Sequence, residues 1–244
     1  MNLQTIQQSM LKYAALLPGE MRLRRLAKPL YVEHGRNSWD HIKQVLDNAE
    51  QMTKSVDKRS LTLQEKAAIL FHDCAVKANN MSHKNHGRLS AEMAIPLLLS
   101  TGIFNDKDLD TIGTAIREHD ELDGKGAVFS STVGDVLASG DADPPDLPWL
   151  LNKMYCWRIQ NMPGQEDKWK QDIWDTATEG YGEKSKDVYP ERYMKFHGKR
   201  LADERHQISN STPDELWQMA LAYRRKHRLG AYEVKFPDPP KYTN

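Results

Sequence analysis

Gln64-Glu65-Lys66-Ala67-Ala68-Ile69-Leu70-Phe71-His72-Asp73-Cys74-Ala75 is the stretch whose reading decides the fold. Thr62 and Glu65 make a capping-box pattern, in which the two side chains satisfy helix-terminal N–H groups reciprocally. A helix therefore opens at Leu63, with Leu63, Ala67, Leu70, Phe71 and Cys74 on its buried stripe. It runs straight into His72-Asp73. An imidazole and a carboxylate at the end of an apolar helix are costly to bury unless something compensates their polarity. A bound metal compensates both, since imidazole suits Zn, Fe, Ni and Cu while carboxylate suits harder ions such as Mg and Mn. After a polar turn over residues 79–85, a second helix opens with His86-Gly87.

Working outward, Ser38 reads as an N-cap. The helix after it places Ile42, Val45, Leu46, Ala49 and Met52 on one face. His41 borders that face and can look into the core. Downstream, residues 91–100 are apolar around Pro96, and Gly102 is a stop. Asn105 or Asp106 caps a helix on which Leu109, Ile112, Ile116 and His119 follow at spacings of three, four and three, which puts His119 on the buried side. A fifth core helix over residues 130–140 delivers Asp141 near its end. Asp143 follows so closely that either carboxylate could serve as the last ligand. Taken singly, each of these histidines is more simply a core residue, or for His119 a side chain favoured by the helix dipole. His83 and His86 have zinc-like spacing, but no cysteines accompany them, so a structural zinc site is discounted and His83 is read as solvent-facing.

The 244 residues are ample for a core. Lys plus Arg equals Asp plus Glu at 34 each, so no global field draws the chain to nucleic acid or to a membrane. Two distant cysteines, Cys74 and Cys156, indicate no disulfide framework. With no cleavable apolar leader and no run of about 18 apolar residues, the expectation is a cytoplasmic protein. Residues 3–16 have helical spacing. Arg22, Arg24, Arg25 and Lys28 read as a solvated face, with a phosphate-attracting rim as the alternative. Past residue 148 the chain is rich in Trp and Tyr, residues 181–203 look loop-like and charged, and Thr212-Pro213-Asp214-Glu215 opens a last helix. The basic run Arg224-Arg225-Lys226-His227-Arg228 is what a helix C-terminus favours. The expected organisation is all-α: an N-terminal helical segment (1–34), a metal-binding core (35–160) and a C-terminal extension (161–244).

The order His41, His72-Asp73, His86, His119, Asp141 resembles the His-Asp (HD) domain superfamily of metal-dependent phosphohydrolases. The matching pieces are Trp39-Asp40-His41, Leu70-Phe71-His72-Asp73, His86-Gly87-Arg88-Leu89-Ser90-Ala91, Ile116-Arg117-Glu118-His119 and Leu137-Ala138-Ser139-Gly140-Asp141. They span roughly residues 35–160. The resemblance implies an HD-type helical bundle. It also implies that His41, His72, Asp73 and Asp141 hold one divalent transition metal (Mn, Fe, Co, Ni or Zn, with Mg allowed). His86 and His119 would complete a second site, with Asp73 bridging. Family members often carry a proline shortly after the last aspartate, which favours Asp141 over Asp143. Two-metal members often have a lysine three residues after the aspartate; here Val76 holds that place and Lys77 comes one later. Lys77 is the candidate phosphate or hydroxide partner, and Arg88 and Arg117 are candidates for phosphate.

The implied activity is phosphohydrolysis of a nucleotide or another small phosphoester through metal-bound hydroxide. Two other classes are compatible with the same residues. One is a di-iron oxygenase, because some relatives use this ligand set on oxygen. The other is a non-enzymatic binding protein with a decayed site, which six filled ligand positions argue against. Substrate identity and oligomeric state stay open.

Overall fold

The structure is a computed structural model that describes residues 18–32, 38–75, 86–119, 129–143, 145–185 and 189–235. Among these residues lie ten α-helices and no strand. No described helix is long and apolar enough to cross a membrane. The helix expected over residues 3–16 lies outside the described residues.

The chain divides into two compact units. The first runs to Ala142 and includes Val188–Phe196; the second comprises Asp143–Asp187 and the chain from His197 onward. The first unit holds α1 (Gly19–Ala27), α2 (Trp39–Asp57), α3 (Leu63–Phe71), α4 (His86–Ser100), α5 (Asp106–Glu118) and α6 (Thr132–Asp141). Their starts follow the local chemistry. Ser38 caps α2, Thr62 and Glu65 form the expected capping box on α3, and Asn105 with Asp108 forms another on α5. A left-handed Gly102 follows α4, as its place as a stop requires. α4 runs through Pro96, which is exposed.

Helix α3 is the hub. Residues 67–71 are wholly buried, and the helix packs against α1, α2, α4, α5 and α6. Residues 67–71 are apolar in unbroken succession and so demand burial on every side, and the other five helices pack around them. Helices α2 and α6 approach most closely at Gly140. A Cβ there would lie 2.8 Å from the Ala49 Cβ and 2.9 Å from the Val45 carbonyl oxygen. Asn48 Nδ2 donates to the Gly140 carbonyl at 3.3 Å across the same seam. This contact sets the end of α6, and hence Asp141, against the start of α2. The charged face of α1 is solvated: Arg24 pairs with Glu20, and Arg22 donates to the Thr101 carbonyl.

The second unit contains α7 (Leu147–Asn161), α8 (Glu166–Tyr181), most of α9 (Glu191–Asn210) and α10 (Pro213–Lys226). Leu150, Leu151, Tyr155, Trp169, Ile173, Ile208 and Leu216 build its core. Helix α7 packs on α8 and α10. The aromatic residues of this half are largely packing: Tyr155 stacks on Trp217 and meets Trp169 edge-on. Buried Arg224 donates to Asn152 and to the carbonyls of Gly230 and Glu233, holding the segment that follows α10.

The loop-like reading of residues 181–203 is corrected. Helix α9 begins at Glu191, and Tyr193, His197, Leu201, Glu204 and Ile208 form its buried stripe. His197 and Glu204 are polar residues in that stripe, which hides the apolar period. In the first turn, Arg192 pairs with Asp57 and, at 2.9 Å, with Asp135 of the first unit.

Two predictions follow from this packing. Gly140→Ala should overpack the α2–α6 seam and cost about 1–3 kcal/mol. Gly180→Ala on α8, where a Cβ meets nothing within 4 Å, should instead gain roughly 0.5–1 kcal/mol. Denaturant unfolding of both variants measures this, and equal effects would contradict the seam. The second concerns Glu204. Burial, with Asp146 and Asp143 adding repulsion, raises its carboxyl to about 7. A carboxyl with a raised folded-state pKa contributes stability that is full below about 4.5 and lost as pH rises to about 7. Glu204→Gln should therefore gain on the wild-type protein across that window, by on the order of 3 kcal/mol. A difference that does not vary with pH would contradict the assignment.

Candidate metal centre

The first unit brings six of the sequence's candidate side chains to one place. His41 comes from the first turn of α2, His72-Asp73 from the end of α3, His86 from the first residue of α4, His119 from the C-cap of α5 and Asp141 from the last residue of α6. Helix ends converge here because α3 is the hub and its C-terminus is where its neighbours start or stop.

Asp73 lies at the centre, and its two oxygens face different histidines. Oδ2 lies 3.5 Å from His72 Nε2 and 3.8 Å from His41 Nε2. Oδ1 lies 3.1 Å from His86 Nε2 and 3.7 Å from His119 Nε2. Asp141 Oδ1 is 3.2 Å from His41 Nε2 and 3.6 Å from His72 Nε2. The His86 and His119 Nε2 atoms are 3.1 Å apart. Two groups of side chains have ligand atoms close enough together to hold an ion: His41, His72 and Asp141, and His72, Asp73 and His119.

Tautomers sharpen this. His72 Nδ1 lies 2.8 Å from the Ile69 carbonyl oxygen, and His119 Nδ1 lies 2.5 Å from that of Ile116. A carbonyl can only accept, so each Nδ1 carries a proton and each Nε2 is the atom turned inward. The inward Nε2 atoms face the carboxylates in a dry place, where either a proton or a cation has to lie between them. His72 Nε2 and Asp73 Oδ1 are buried without a hydrogen-bond partner. Unsatisfied buried groups of this kind are rare and call for an explanation. A cation at the centre supplies one, and imidazole nitrogen with carboxylate oxygen is a fitting donor set for a divalent metal. The buried His and Asp side chains could hold a metal ion.

Electrostatics point the same way. Burial opposes ionisation of Asp73, but His72, His119 and His86 outweigh it and hold the carboxyl well below the usual range. Burial likewise opposes the charge on Asp141, and His72 and His41 hold it far down. Burial works to lower His72, yet Asp73 and Asp141 prevail and raise it to about 9. The cluster is therefore a strong sink for positive charge. His41 and Asp141 have side chains 26% and 30% exposed, against 0% for His72 and 2% for His119. The His41–Asp141 edge is thus the side open to solvent.

Asp143 pairs with Lys153 and belongs to the second unit. Arg88 is exposed and pairs with Glu92 at 2.5 Å, and Arg117 is exposed and donates to Thr114. Among the described residues, neither guanidinium hydrogen-bonds or ion-pairs with the cluster. Lys77 and His83 lie outside the described residues. Two neighbours went unnoticed in the sequence. Tyr31 donates its hydroxyl hydrogen to the Leu70 carbonyl at 2.9 Å, and Ser90 Oγ accepts from the Ala75 N–H at 3.2 Å. Ser90 was legible, since it lies four residues after His86 on the same helix face. Tyr31 had no local signal.

His86→Ala and His119→Ala should each lower metal content, because each removes a nitrogen facing Asp73 Oδ1. Metal analysis of protein equilibrated with Mn(II) or Co(II) measures this. Full stoichiometry in both variants would mean a mononuclear site in which these histidines serve another purpose.

No protein-family model, no curated protein and no solved structure matches this chain.

Proposed function

We propose that the chain is an HD-type, metal-dependent phosphohydrolase acting on a nucleotide or another small phosphoester. The observation that supports it best is the pair of opposed contacts on Asp73. One carboxylate oxygen faces His41 and His72, and the other faces His86 and His119. A carboxylate so placed is suited to bridge two cations, one held with His41, His72 and Asp141 and one with His86 and His119. Divalent cations bound there would supply activated water at neutral pH and neutralise phosphate oxygens.

The chain's own residues have distinct roles in this reading. Asp73 holds and orients; with both oxygens committed it is a weak nucleophile, so it does not attack phosphorus. The carbonyls of Ile69 and Ile116 fix the tautomers of His72 and His119, keeping Nε2 available. His41 and Asp141 form the edge that a substrate meets first. Lys77, one residue past the place where family members often carry a lysine, is the proposed phosphate partner. The exposed, self-paired Arg88 and the exposed Arg117 are less suited to that role.

The test is a phosphate-release screen over nucleoside mono- and triphosphates, cyclic dinucleotides and dinucleoside polyphosphates. It is run with Mn, Co, Fe, Ni, Zn and Mg in turn, with oxygen uptake recorded in parallel. Phosphate release that is abolished in Asp73→Ala, together with loss of metal, is the expected result. Oxygen uptake without phosphate release would place the same ligands in an oxygenase. Single-turnover hydrolysis in labelled water should put the label in the product phosphate; label in the Asp73 carboxylate would mean a covalent intermediate.

A further inference from the structure

We infer that Tyr31 and Ser90 are positioning residues that clamp the His72–Asp73 turn from opposite flanks and set the geometry of the metal centre before any ion binds. This rests on the metal-site reading above. Helix α3 ends at Phe71, and His72 and Asp73 form a turn. Where a helix stops, its last carbonyls lose their intrahelical partners and the backbone is free to shift unless something else binds it. A ligand that shifts by a fraction of an ångström loses its metal geometry.

Each flank of the turn is held by a buried hydroxyl from another element. Before it, the Tyr31 hydroxyl donates to the Leu70 carbonyl at 2.9 Å. Tyr31 is itself wedged beside Trp39, two residues before His41, with ring centroids 6.2 Å apart. After it, Ser90 acts twice: its Oγ accepts from the Ala75 N–H at 3.2 Å, and its carbonyl accepts from the Cys74 thiol at 3.4 Å. Ser90 is fully buried and stands one helical turn after His86. Tyr31 therefore links the turn to the start of α2, which carries His41. Ser90 links it to the start of α4, which carries His86. The two hydroxyls register both neighbouring histidines against Asp73.

Tyr31→Phe and Ser90→Ala each delete one hydroxyl and little volume; Ser90→Thr keeps the hydroxyl. Leu23→Ala, on α1 and wholly buried, serves as the destabilised control. Each protein, stripped of metal, is titrated with Co(II), following the visible absorption of the bound ion and the thermal midpoint. The expected result is a Co(II) dissociation constant raised about tenfold and an altered visible band in Tyr31→Phe and Ser90→Ala. Ser90→Thr should sit nearer wild type, and Leu23→Ala should melt early with wild-type affinity and spectrum. Wild-type affinity and spectrum in both hydroxyl deletions would overturn the clamp while leaving the metal site standing. So would an equal loss of affinity in Leu23→Ala, which would reduce the effect to general stability. Wild-type protein that takes up no Co(II) would overturn the metal reading, and the clamp with it. If Tyr31→Phe fails to fold, the comparison of Ser90→Ala with Ser90→Thr decides alone.

Discussion

A carboxylate that is buried yet ionised has to be surrounded by positive charge or by protons it can attract. Asp73 has a side chain only 6% exposed, and four imidazole nitrogens stand within 4 Å of it. Those four rings come from four segments of chain, so satisfying one charge requires α2, α3, α4 and α5 to end or begin at the same point. Asp141 extends the requirement to α6. The bundle of the first unit can be read as the solution to that demand. Helix α3 is apolar enough to be enclosed, and its polar terminus is where the enclosing helices present their own ends.

How much of this was legible in the sequence depends on whether the signal was local. The capping box at Thr62 involves neighbours three residues apart and was read as such, whereas at Asn105 the sequence reading left the cap between Asn105 and Asp106 and did not name the box with Asp108. His119 could be assigned to a buried face from the spacing of Leu109, Ile112 and Ile116 alone. The choice between Asp141 and Asp143 could not be made on chemistry, since both are carboxylates at one helix end. It turns on a partner, Lys153, ten residues away. Helix α9 escaped because His197 and Glu204 occupy buried positions that a hydropathy pattern expects to be apolar. Arg88 shows the opposite case. Lying two residues past His86, it is about 200° away around α4, which already argues against its joining the same site.

Long-range positioning was the least accessible part. Tyr31 and Leu70 are 39 residues apart and Asn48 and Gly140 are 92 apart. Nothing in the residues themselves announces either contact. Yet these contacts decide whether ligands on separate helices meet within a few tenths of an ångström. The glycine at 140 is a case where the absence of a side chain is the functional feature: without it α6 could not come close enough to α2 to set Asp141 beside His41.

The charge balance of the cluster ties metal number to the kind of substrate it suits. Asp73 and Asp141 contribute two negative charges, and four neutral imidazoles contribute none. With one divalent ion the ligands and ion sum to zero, and with two they sum to +2; the metal-bound hydroxide of the proposed reaction takes one unit from each, leaving −1 and +1. A centre at −1 repels a phosphoester, whereas one at +1 attracts it. Arg88 is already paired with Glu92, and Arg117 is exposed and bonded to Thr114. On the phosphohydrolase reading, it is then the second ion that would make the centre attractive to phosphate, and His86 and His119 would bear on substrate binding as well as on metal content.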